Sequence, residues 1–402
     1  MDRRSALGIL ASGGLTGVAG CLWGSGNGAS ESTPTPVMNR EVPTGGDAGG
    51  VIPQFQGSSG HTGNLDATGP TNGVTTYWRR TPHRYDHSQP VVADDRAYLS
   101  FGGKLVRLDR ATGQRQWITD IGHDGSSTPA VYDGTVYVTV WNGGENEDRG
   151  LAAVDADSGG ITWRALTGTD INSSPAVTED GVFVGGGLGT TSVAAFDHDG
   201  TERWRHTLGE YALTPAVTGE TVVYGAGTAQ VVSYDAVSGR QLWQFDTDGE
   251  TTAAPTVAGN RVVVGTQAGT LYSLDLQDGS KDWSIDLPGS VRRSVAMAEN
   301  RIIVPTVEGL IAVDTAGNRE WTVDTSTRAT EPVIAGNGVY FGGRRVLRAL
   351  SLTDGTEWWS FETRNRSFSD FGLGGIQRAP AIINGIVIVA TQAGDVYALG
   401  EK

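Results

Sequence analysis

The chain has 402 residues, 59 of them glycine, with 38% hydrophobic residues and a formal charge of −15. A charge of this sign repels a phosphate backbone and excludes nucleic acid as a partner, and a single cysteine excludes an internal disulfide or a thiolate metal cluster. Only three of the 30 basic residues are lysine (Lys104, Lys281, Lys402), a pattern that keeps a surface hydrated where salt screens charge, so an exported, salt-adapted protein is expected.

The N-terminus begins Asp2-Arg3-Arg4-Ser5, followed by a small, weakly apolar run over 6–20. These are the n-region and h-region of an export signal, too short for a stable membrane span. The pair Arg3 and Arg4 resembles a twin-arginine signal. Val18-Ala19-Gly20-Cys21 resembles a lipobox, in which cleavage before Cys21 leaves a lipid-modified cysteine. The stretch up to Pro53 is rich in Gly, Ser, Thr and Pro and has too little apolar content for a core. The expected organisation is a signal over 1–20, a disordered lipid-anchored tether over 21–52 and a folded head over 53–402. The head would then sit at the outer face of the cell membrane, and a monomer is expected.

Eight tryptophans then recur at spacings of 38 to 46 residues: Trp78, Trp117, Trp163, Trp204, Trp243, Trp283, Trp321 and Trp359. All but Trp78 close the same phrase, seen as DRATGQRQW ending at Trp117 and DAVSGRQLW ending at Trp243. Self-similarity at a fixed period marks a repeat architecture. Each unit opens on a short apolar run led by proline, such as Pro129-Ala130-Val131 or Pro215-Ala216-Val217; the sixth has Ser294-Val295-Ala296 instead. A turn, a β-branched strand, a glycine-rich turn and a third strand follow, and the Asp–Gly turn with its tryptophan strand completes the unit. No long amphipathic helical period interrupts these short apolar runs, which argues for an all-β fold.

Each part has a physical reason. Proline lacks a ladder donor and suits the first residue of an edge strand. The aspartate caps the turn between the third and fourth strands, and glycine supplies positive φ. Tryptophan is large enough to fill the gap between neighbouring twisted sheets. Four strands per unit, repeated radially, predict a single eight-bladed β-propeller of four-stranded antiparallel blades. The eighth unit ends at 397–400 before any tryptophan strand, and the Trp78 strand has no strands before it. Residues 75–79 are therefore expected to be the outer strand of the last blade, closing the ring and removing its open edge.

The phrase D-x-x-[TSD]-G-x-x-x-W resembles the tryptophan-docking repeat of the PQQ-like (pyrroloquinoline quinone) β-propeller superfamily, over 53–402. Pro53-Gln54-Phe55-Gln56-Gly57, with His61-Thr62-Gly63, resembles a leader found in that superfamily. The resemblance implies one of two functional classes. Quinoprotein dehydrogenases hold PQQ and Ca²⁺ in the channel; lipoproteins of the BamB-like branch are non-enzymatic and hold partner proteins. The family's alcohol dehydrogenases place a vicinal Cys–Cys disulfide over the quinone, and this chain has one cysteine. His83 and His87 lie in a loop between Pro82 and Pro90, not on one helix face, and are not read as a zinc pair. No G-x-S-x-G elbow or P-loop lysine is present. The leading reading is a non-enzymatic binding or scaffold module with no catalytic residues, no metal and no resident cofactor. Its expected partner is an envelope protein or small ligand. A PQQ- and Ca²⁺-dependent dehydrogenase and a sensor of small anions or sugars are the alternatives.

Function is grafted where a repeat is broken. The link from Trp359 to Pro380 is longer than its equivalents and carries Arg364, Arg366, Phe368, Phe371 and Arg378. A second insertion, over 141–149, carries Glu145 and Glu147. In a four-stranded blade, the link into the first strand and the turn between the second and third share one face, so both insertions decorate it together with Arg292, Arg293, Arg328 and Glu331. Arginine mixed with phenylalanine is typical of binding hot spots; a loop folded over the channel mouth as a plug is the alternative. Arg292, Arg293 and Arg378 stand where most repeats have Ser, Ala, Leu or Thr, which also fits an anion at the mouth.

Overall fold

Alternating β-branched and turn residues produce thirty-two blade strands, arranged as eight sheets around a central channel. A computed structural model describes residues 37–38, 42, 51–82, 87–122, 127–141, 149–186, 192–325, 328–368 and 371–402. Blades are numbered here in chain order. Blade 2 is representative: Ala130–Tyr132 is innermost, followed outward by Thr135–Val140, Gly150–Asp155 and Ile161–Ala165, all antiparallel. The fold is the expected eight-bladed all-β propeller.

The burial pattern follows from the radial geometry. Inner strands are covered on both faces by neighbouring blades, so Thr135–Val140 is almost wholly buried despite its two-residue period. Outer strands splay apart and alternate, as Lys281–Asp286 does. Apolar clusters therefore form between blades: Tyr98 and Leu105 of blade 1 pack with Val136 and Val154 of blade 2. Each fully buried side chain of this size contributes about 1.5–3 kcal/mol.

The tryptophan phrase is an inter-blade joint. Trp117 of blade 1 donates its indole N–H to the carbonyl of Ala156 in blade 2 at 3.2 Å, and Trp204 of blade 3 does the same to Ala236 at 3.0 Å. The receiving turn is shaped for the ring. Asp109 Oδ1 accepts from the Thr112 backbone N–H at 2.8 Å, and Gly113, at φ 66°, leaves space for the indole of Trp78: a Cβ there would lie 2.6 Å from the ring. The aspartate and glycine of one unit thus accept the tryptophan of the unit before.

Ring closure is as expected. Val74–Arg80 pairs antiparallel with Val396–Glu401, with Trp78 opposite Ala398, and completes blade 8 beside Ala381–Ile383 and Ile386–Ala390. Part of the stretch expected to be tether is also placed against the ring. Val37–Met38 pairs with Arg79 and Trp78 as a fifth strand on the outer edge, Val42 is buried with its N–H on the Ala111 carbonyl, and Ile52 bridges Val92. The open edge of Val74–Arg80 offers unpaired backbone groups, and Val37–Met38 pairs with part of it.

The segment after Ile52 fills the channel. The second residue of each innermost strand points its N–H inward, and the leader meets these donors in turn. Val92 donates to Ile52 O, Val131 to Pro53 O, Val217 to Ser59 O, Val257 to Gly60 O, Met297 to Thr62 O and Ile334 to Gly63 O, all at 2.7–2.9 Å. At blade 3 the Gln54 side chain takes over, with Val177 N–H on Oε1 at 2.9 Å and Nε2 on Val177 O at 3.0 Å. Seven of the eight inner edges are thereby satisfied by one strap. The strap then pairs parallel with blade 7 through Asn64–Leu65 and leaves by the face opposite the insertions, where Gly385 N–H meets Thr68 O at 2.9 Å.

Candidate functional site

The strap stops short of the insertion face and leaves a cavity of about 140 Å³ above Phe55. Its wall is built from the residues just before each innermost strand in blades 2 to 8. In blades 2 to 4 the position before the leading proline holds Thr128, Ser174 and Thr214. These are joined around the ring by Thr128 N–H on Ser174 Oγ at 2.9 Å and Ser174 N–H on Thr214 Oγ1 at 3.0 Å. In blades 6 and 7 the same position holds Arg293 and Glu331, joined at 2.9 Å between Nη1 and Oε1. An ion pair thus replaces the hydroxyl link at one point of the ring.

The structure brings Arg292, Arg293 and Arg378 to this one cavity. Arg328 is exposed; partial burial and the neighbouring charges of Arg293 and Arg292 lower its guanidinium below the ordinary value. Glu331 is 4% exposed, and its Oε2 has no partner among the described residues. Arg292 Nε, Arg378 Nε and Thr252 Oγ1 are likewise buried and unpartnered. Each unmet buried polar group costs about 1–3 kcal/mol, and such groups are rare enough to call for an explanation.

Under the floor, the strap holds two residues left-handed, Gln56 at φ 55° and His61 at φ 57°. His61 Nδ1 lies 3.1 Å from the Pro255 carbonyl, its ring packs edge-on against Phe55, and Nε2 is unpartnered. Burial lowers the His61 pKa to about 4, opposed in part by the Pro255 bond. Other histidines serve packing: His206 stacks on Tyr234 and His198 on Tyr132. Among the described residues, no group of three or more His, Cys, Asp or Glu is arranged to hold a metal.

Arg364 is held elsewhere. Its guanidinium grips the fully buried Asp395 at 2.7 and 3.1 Å, and Thr81 Oγ1 donates to the same carboxylate at 2.6 Å. That ion pair raises the Arg364 pKa. The long link is further pinned by Thr363 N–H on Arg345 O at 2.7 Å and Ile376 N–H on Arg344 O at 2.6 Å. Between these anchors, Arg366–Phe368 and Phe371–Leu373 form a two-stranded hairpin with Phe368 opposite Phe371. Arg3, Arg4, Cys21, His83, Glu145 and Glu147 lie outside the described residues.

The sequence reading grouped the mouth arginines and set Glu331 on their face, but did not anticipate Phe55 as floor, the burial and pairing of Glu331, or Gln56 and His61 beneath. The signal available was the leader at 53–63, which departs from the repeat and carries polar side chains where a core would not.

Comparison with known proteins places the chain among propellers. The family model for outer membrane protein assembly factor BamB matches residues 61–191, 189–293 and 286–402. BamB of Burkholderia pseudomallei (strain K96243) is 29% identical over 135 residues, a third of each chain. The chain therefore aligns with well under two thirds of that relative's length. In solved structures, BamB from Moraxella catarrhalis superposes with a TM-score of 0.66 at 16% identity, covering 82% of this chain and 98% of that one. Quinohemoprotein alcohol dehydrogenase from Comamonas testosteroni superposes at 0.72 with 16% identity, covering 88% and 81%. At these identities the structural likenesses speak for the fold alone.

Proposed function

Since the chain belongs to the family of outer membrane protein assembly factor BamB, we propose that it is a non-enzymatic binding module that holds an envelope protein against its insertion face. The observation that carries this reading is the pinned hairpin. Two backbone anchors and the Arg364–Asp395 ion pair fix the stems of the 363–376 link, so its hairpin rests on a held base. Ordering is then largely met before a partner arrives, which favours affinity.

The dehydrogenase alternative asks for a different donor set. Ca²⁺ takes six to eight oxygen ligands, whereas the mouth offers one carboxylate, Glu331, already paired with Arg293, amid further arginines. The residues on the described lining do not fit a PQQ–Ca²⁺ centre.

In this reading Cys21, lipidated after export through the Arg3-Arg4 signal, holds the head to the outer face of the cell membrane. Fractionation of Cys21→Ala tests that: the protein should move from membrane to medium, and unchanged attachment refutes the anchor. For the partner face, photo-crosslinkers at Arg344 and Asn365 should capture a common envelope protein, while crosslinkers at Glu220 and Asn260 on the opposite face should not. Equal capture from both faces would overturn the assignment.

A further inference from the structure

We propose that the mouth cavity is a binding site for a small hydroxylated anion, of the sugar-acid or hydroxy-acid class. This goes beyond the partner reading, which concerns the hairpin outside the channel.

The wall is chemically divided. Blades 6 and 8 supply Arg292, Arg293 and Arg378; blades 2 to 5 supply neutral hydroxyls and an amide, among them Ser127, Asn172 and Thr252. With Glu331 as the only carboxylate on the described lining, the site is cationic inside a chain of charge −15. A low-dielectric recess makes that local charge count for more than the surrounding acidic surface.

The unmet atoms specify the ligand further. Arg292, Arg293 and Arg378 line the cavity as cations, and Nε of Arg292 and of Arg378 has no acceptor among the described residues, so anionic oxygens on the ligand suit this side. Glu331, 4% exposed, has an acceptor, Oε2, without a donor among the described residues, so an O–H on the ligand suits this side. Thr252 Oγ1 serves a second hydroxyl. A plain inorganic anion meets the first demand and fails the second; a neutral sugar does the reverse. At about 140 Å³ the cavity suits a molecule near the size of a six-membered ring. Phe55 beneath offers an apolar floor for its carbon face.

Calorimetry and thermal shift on the full-length protein decide it, with gluconate, glucuronate and citrate as probes and acetate, sulfate and glucose as controls. At least one hydroxylated anion should bind tenfold or more tighter than every control, as expected for about one charge-assisted hydrogen bond. Arg378→Gln should weaken that probe by about tenfold. Glu331→Gln should narrow its advantage over sulfate. Arg292→Gln repeats the first test if Arg378→Gln melts early. The proposal is overturned if sulfate or glucose binds as tightly as the hydroxylated anions, or if no probe shifts the melting curve at millimolar concentration. It is equally overturned if pyrroloquinoline quinone with Ca²⁺ binds and none of the hydroxylated anions does.

Discussion

Trp359 and Pro70 stand 289 residues apart in the chain, and the indole N–H of the first donates to the carbonyl of the second at 2.8 Å. Every other docking tryptophan uses the turn between the third and fourth strands of the next blade. In blade 8 that turn does not exist, because the strand beside Val396–Glu401 is Val74–Arg80, which comes from before blade 1. Pro70 fills the vacant position, and Tyr340 Oη donates to the same carbonyl at 3.1 Å. Replacing Trp359 by phenylalanine should cost about 1 kcal/mol for the lost hydrogen bond. Replacement by alanine should cost about 3–5 kcal/mol through the cavity left behind. Urea midpoints of the two variants check the difference.

Stability should fall in acid because of His61. Its pKa is about 4 when folded against 6.5 when unfolded. The unfolded chain therefore takes up the proton first as pH drops. Stability contributed by neutral burial is intact above pH 6.5, declines between 6.5 and 4, and is lost below, a total on the order of 3 kcal/mol. Asparagine tolerates the left-handed backbone at this position, so His61→Asn should flatten the slope of stability across that window. Denaturant titrations at several pH values measure it.

Removing the N-terminal segments separates tether from strap. A chain starting at residue 51 keeps the channel strap and the Val74–Arg80 strand and should melt close to the full-length protein. A chain starting at residue 82 loses both and should not show a cooperative transition. A peptide spanning 51–80, added in trans, should restore one. A truncated head that melts normally on its own contradicts the role assigned to the strap.

Arg364→Met should leave the Asp395 carboxylate with Thr81 as its one remaining side-chain partner in the described contacts. Breaking a buried pair costs about 3–5 kcal/mol, less here because the Arg364 side chain is 39% exposed; a loss of about 2 kcal/mol is expected. The double variant Arg364→Met with Asp395→Asn should recover part of that, which a double-mutant cycle resolves. A binding defect in an Arg364 variant therefore needs its melting curve beside it.

The tryptophan, aspartate and glycine positions were legible because each acts through a phrase repeated in the chain, and closure was legible because two fragments lacked complementary parts. The strap was not. Apart from Gln54 it meets the inner strands through backbone carbonyls, among them those of Pro53, Ser59, Gly60 and Thr62, and carbonyls carry no side-chain signature. Arg364 read as a binding-face residue of the long link, and its pairing was hidden because Asp395 sits 31 residues away, in another blade. The cluster of Arg292, Arg293 and Arg378 was visible as a departure from the repeat. Its pairing with Glu331 depends on two blades being adjacent at the axis, which follows only once the ring is assembled.

The strap also sets an order of events in time. Residues 52–63 leave the ribosome before any blade exists, yet their partners are spread from Val92 to Ile334, and the strand that follows them needs Val396–Glu401. Linear repeat proteins grow by nearest-neighbour addition and fold piecemeal. Here residues 74–80 stay unpaired along one edge until Val396–Glu401 is made. Completion of the head is thus gated by the making of Val396–Glu401, and a nascent chain arrested before residue 396 should expose a protease-sensitive stretch over 52–80 that the closed ring covers.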